Sequence, residues 1–110
     1  AFYPGCLATA KEPEWKNRVP LEILMGKLDN WTSPNACKYI IDHSRGSAPR
    51  HITLYADSYH DFDSPDLKVQ DVKNLPLVAQ DDHSAKVGTN EKARKQAIEK
   101  VLKILSQAFQ

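Results

Sequence analysis

Glycine is scarce in this chain. Four occur among 110 residues, and none builds the Gly-rich loop that cradles a phosphate. An excess of one charge is missing too. The 15 Lys and Arg stand against 14 Asp and Glu, a formal net charge of +1, so there is no bulk attraction to nucleic acid or an anionic membrane. No apolar run approaches a bilayer-spanning length, and Ile23 to Met25 is as long as the pure ones get. Ala1 to Cys6 has neither the basic start nor the long apolar stretch of a signal peptide. The first residue is not Met. Ala1-Phe2-Tyr3 before Pro4-Gly5 reads as the end of a strand and a turn, so the expectation is that upstream sequence is missing. Cysteine is limited to Cys6 and Cys37, too few for a disulfide scaffold and not spaced as a zinc site. They either pair, closing a loop of about 32 residues worth roughly 3–4 kcal/mol, or are buried free thiols. Both readings stay open: a bridge favours the periplasm or secretion, free thiols the cytoplasm.

What is present fits a single α/β domain over residues 1–110. Residues 7–20 carry Pro13 and Pro20 without periodicity, a loop or at most one helical turn, with Trp15 folding back on the core. Pro20 to Met25 reads as a strand without clean alternation, as expected where both faces are covered in a parallel sheet. Ser33 is an N-cap with Pro34 at the first helical position. That helix is expected to stop before Gly46, read as a left-handed cap. A second strand follows over His51 to Ala56, rich in β-branched and aromatic residues. Phe62 to Asn90 shows little regular pattern and reads as a long surface excursion that walls a pocket. The last segment is a helix capped by Asn90. Its apolar stripe holds Ala93, Ala97, Ile98, Val101, Leu102, Leu105, Ala108 and Phe109, opposite a charged face that reads as solvated.

Two residues stand where α/β sheets place chemistry, just past the carboxyl ends of strands. Asp29 follows the Gly26 turn, and His60 follows the second strand in ADSYHDFDSP. A carboxylate that accepts from a histidine Nδ1–H fixes the tautomer and stabilises the imidazolium formed when a nucleophile gives up its proton. Trp31 and Tyr59 flank the pair and either pack the strand ends or line an apolar pocket. His43, His51 and His83 have no comparable setting. Asp57, His60, Asp61 and Asp63 are dense in possible metal ligands, yet no EF-hand or HExxH pattern is present, so neither a metal nor a cofactor is expected. Asn30-Trp31-Thr32 matches a glycosylation sequon but sits beside Asp29, and is read as chance.

The succession FYPGC, LEILMGKLDNWTSPNAC, ITLYADSYHDFD and an amphipathic terminal helix resembles the C-terminal half of dienelactone hydrolase-like α/β-hydrolases. In GKLDNWT, Asp29 matches the triad acid; in YADSYHDFD, His60 matches the triad histidine. The resemblance implies the C-terminal part of an α/β-hydrolase fold, about three parallel strands with flanking helices. It implies hydrolysis of a small ester or lactone through an acyl-enzyme. No G-x-S-x-G or G-x-C-x-G elbow occurs in the chain, and neither Cys6 nor Cys37 stands at such an elbow. The nucleophile and oxyanion donors are therefore expected upstream, and the chain alone is expected to be inactive. An open sheet edge is expected to promote self-association. The competing reading is a non-catalytic α/β module that binds a ligand or partner, with a vestigial Asp29/His60 pair.

Overall fold

The computed structural model describes residues 1–78 and 81–110. Its elements are α1 (Leu7–Ala10), β1 (Leu21–Gly26), α2 (Pro34–His43), β2 (Arg50–Tyr55), β3 (Gln70–Val72), β4 (Ala85–Val87) and α3 (Glu91–Ala108). β1 and β2 pair in parallel, Ile23 opposite Ile52 and Gly26 opposite Tyr55, with α2 in the connection. The chain thus mixes helix and strand, with a parallel two-stranded sheet and three helices among the described residues.

β1 is apolar on both faces because both are covered. Ile23 and Met25 pack with Ala36, Cys37 and Ile40 of α2, while Leu24 packs with Tyr55, Phe62 and with Ala93 and Ala97 of α3. Trp15 folds onto the first of these clusters. Cys6 and Cys37 are both buried and form a disulfide that ties the first segment to α2.

Four expectations change. In place of about three parallel strands, the described residues form two. Phe2 makes a single parallel bridge to Leu24 on the other edge of β1. The pairing stops there because Tyr3 turns to a positive φ of 31° and the next residue, Pro4, has no N–H to give. Second, α2 ends at His43 with Ser44 as its cap. Gly46 is not left-handed; it is small because a Cβ there would strike the backbone carbonyl of Asn17. Buried Asn17 ties its loop to this turn, its Nδ2 facing the carbonyls of Val19, Ala48 and Pro49 at 3.1, 3.1 and 3.2 Å. Third, the 62–90 excursion contains an antiparallel hairpin, β3 with β4, Val72 opposite Ala85. It escapes sequence reading because β3 is three residues, two of them polar and exposed.

Fourth, the stripe of α3 splits. Asn90 caps the helix, its side chain accepting from the Ala93 N–H. Ala93 and Ala97 are buried under it and Val101 is half-buried, but Ile98, Leu102, Leu105 and Phe109 face outward. The small alanines let the first half sit close to the sheet. Beyond Val101, Ile104 is half-buried while Leu102, Leu105 and Phe109 are left open.

Candidate active site

Two loops leave the carboxyl ends of β1 and β2 and are joined by backbone bonds. The Lys27 N–H donates to the Tyr55 carbonyl at 2.8 Å and the Leu28 N–H to the Ser58 carbonyl at 2.9 Å. Gly26 makes this crossing possible. A Cβ there would lie 2.8 Å from the Tyr59 carbonyl oxygen and closer still to that of Ser58. The glycine that sequence reading takes for a turn is a gap through which the β2 loop passes. That passage brings His60 over the β1 loop.

Asp29 is held from both oxygens. Oδ1 accepts the N–H groups of Trp31 and Thr32, each at 2.9 Å, so the side chain closes its own turn. Oδ2 lies 2.8 Å from Nδ1 of His60 and 3.2 Å from the Thr32 hydroxyl. The Asp29 side chain has no solvent exposure and that of His60 only 12%, so the pair sits in a medium where its attraction is weakly screened. Because a carboxylate only accepts, Nδ1 is the donor of this contact, which in the neutral ring leaves the free lone pair on Nε2. Nε2 has no hydrogen bond to a described residue, and it is not among the buried unpartnered atoms, so it opens to solvent.

Two aromatic rings pack against the imidazole. Trp31 lies 4.7 Å away between ring centroids and Tyr3 lies 4.3 Å away. Tyr59, the other expected neighbour, has the Lys86 ammonium 5.8 Å over its ring. Tyr3 is a site residue that sequence reading missed. No local signal marks it, since its contact with His60 joins segments far apart in the chain. Thr32 was missed as well, although an Asp with a Thr three residues on is the spacing of a side-chain-closed turn. The sequon residue Asn30 is half-buried and its Oδ1 accepts from the Lys86 N–H at 2.8 Å, tying the acid loop to β4.

The remaining candidates separate from the site. His43 stacks on Tyr39, His51 pairs with Glu22 at 2.9 Å on the exposed surface, and His83 faces the Leu75 carbonyl. Asp63 accepts from the Tyr3 hydroxyl at 2.8 Å, and among the described residues no three His, Cys, Asp or Glu side chains converge as metal ligands. Burial, then the neighbouring Asp63, pushes the Tyr3 phenol upward, so it stays a protonated donor. The excursion contributes Val87, bridged to His60, and its hairpin residues line a surface hollow together with Asn30 of the acid loop.

An imidazole oriented by a buried carboxylate, with its outer nitrogen free, is equipped to take a proton from a nucleophile. Among the described residues no hydroxyl or thiol is bonded to that nitrogen, and both cysteines are consumed in the disulfide. Comparison with family models, curated proteins and solved structures finds no match. No helix among the described residues is long and apolar enough to cross a membrane.

Proposed function

We propose that this chain supplies the acid and the histidine of a nucleophile–His–acid triad in a dienelactone hydrolase-like ester or lactone hydrolase. The observation that carries the reading is the 2.8 Å bond between Asp29 Oδ2 and His60 Nδ1, made by loops from adjacent parallel strands. In this reading the first segment, β1 and β2 are neighbouring strands of a larger, mostly parallel sheet of the α/β-hydrolase type. The nucleophile and the oxyanion donors come from sequence outside these 110 residues. His60 Nε2 takes the nucleophile's proton, and Asp29 stabilises the imidazolium. The nucleophile's oxygen or sulfur then bonds to the substrate acyl carbon. His60 returns the proton to the departing alkoxide, and a water repeats the sequence to free the acid. The Cys6–Cys37 bridge supports an oxidising compartment, periplasmic or extracellular.

The test uses the complete gene product and p-nitrophenyl acetate. Asp29→Asn lowers turnover by about 10⁴ if the serine-protease precedent transfers. An unchanged rate removes Asp29 from the mechanism. The isolated chain shows no His60-dependent turnover, and finding such turnover would contradict the division of the triad proposed above. One observation favours a second reading, a non-catalytic binding module: no hydroxyl or thiol of a described residue reaches Nε2. A reading frame without a nucleophile elbow upstream would select it.

A further inference from the structure

Tyr3 is unusually well fixed for an aromatic residue near a chain's first strand. Its N–H donates to the Leu24 carbonyl at 2.8 Å, its own carbonyl lies 3.2 Å from the Thr32 hydroxyl, and its phenol donates to Asp63 at 2.8 Å. Its φ of 31° lies in a region that bulky L-residues rarely adopt, and surrounding bonds must hold it there. The ring that results packs against His60, 4.3 Å between centroids at 53°, and Trp31 packs against the same imidazole at 4.7 Å and 34°.

We propose that Tyr3 is a positioning residue: its ring, anchored through its hydroxyl to Asp63, clamps His60 against Trp31 so that Nδ1 stays on Asp29 and Nε2 points outward. The inference rests on the proposed acid–histidine pair and deepens it. A single bond through Nδ1 leaves an imidazole free to swing about its side-chain torsions, and each swing takes Nε2 away from its target. Two aromatic walls remove that freedom. Their centroids lie within 6 Å of the imidazole, close enough for a π attraction to the imidazolium formed when His60 accepts a proton. Asp63 completes the device from the His60 loop itself, three residues on, so loop and clamp move as one unit.

The experiment reads the chain directly by NMR with ¹⁵N-labelled histidine, without turnover. In the native chain His60 is expected as one neutral tautomer, protonated at Nδ1, with a slowly exchanging Nδ1–H. Tyr3→Leu is expected to lose that proton signal to exchange and to mix the tautomers, with the backbone amide spectrum otherwise folded. Tyr3→Phe keeps the ring and should keep the tautomer, with faster exchange because the anchor to Asp63 is gone. Asp63→Ala should match Tyr3→Phe, and the double variant should be no faster than either, since both remove one bond. A native-like Nδ1–H in folded Tyr3→Leu overturns the clamp and leaves the acid–histidine pair standing. If Tyr3→Leu does not fold, unchanged exchange in Asp63→Ala overturns it instead. Absence of the Nδ1–H signal from the native chain overturns the pair and the clamp together. A purely structural tyrosine would lower stability in these variants without changing the tautomer.

Discussion

Asp29 accepts two backbone N–H bonds on one oxygen and the imidazole on the other, so its orientation is set by its own turn before His60 arrives. The imidazole is added to a site already built, the condition for preorganised chemistry. Gly26 is what admits it. With any side chain at position 26 the Ser58–Tyr59 backbone must retreat, and His60 retreats with it. Gly26→Ala is therefore expected to cost about 1–3 kcal/mol or more as an overpacking change. It should also lose the Nδ1–H resonance of His60, a loss that a stability effect alone does not produce. Denaturant unfolding and the histidine spectrum check the two parts. Thr32 is the softer member: its single hydroxyl proton serves either Tyr3 or Asp29, so Thr32→Val should loosen the turn without breaking it.

At the scale of elements, the disulfide and the two helices decide how firmly the loops are presented. The bridge joins residues 31 apart, clamping the segment that carries Tyr3 to α2. Replacing Cys6 and Cys37 together by Ala is expected to lower stability by about 3–4 kcal/mol, the chain-entropy value for a loop of this length. A urea titration measures it, and a change near zero would mean the first segment is held without the bond. Much of this arrangement was legible in residues. The non-alternating apolar residues of β1 announced a strand covered on both sides, and Ser33-Pro34 and Asn90 marked helix starts whose caps the structure contains. What escaped was contact between segments distant in the chain. Gly46 looked like a cap because caps are local, whereas its smallness answers to Asn17, far off in sequence. The β3–β4 hairpin had too little apolar surface to mark itself. Tyr3 looked like the end of a strand and nothing more, since ring contact with His60 is a tertiary fact.

At the scale of the whole molecule, the sheet is narrow for the helix laid on it. The radius of gyration is 14.6 Å, against about 13 Å expected for a compact chain of this length. The outer face of α3 and its cap leave Ile98, Leu102, Leu105 and Phe109 exposed, and among the described residues the first segment makes one bridge to β1. Apolar surface and an open sheet edge on one small body favour association. Sedimentation velocity of the isolated chain is expected to show concentration-dependent self-association, and a monomer at every concentration would contradict this. The site as a whole depends on the bond between positions 29 and 60. It is tested most directly by the imidazole proton spectrum of the native chain beside that of Asp29→Ala. The prediction is a far-downfield Nδ1–H of His60 that disappears when the carboxylate is removed. The same resonance surviving in Asp29→Ala, or missing from both, would contradict the site.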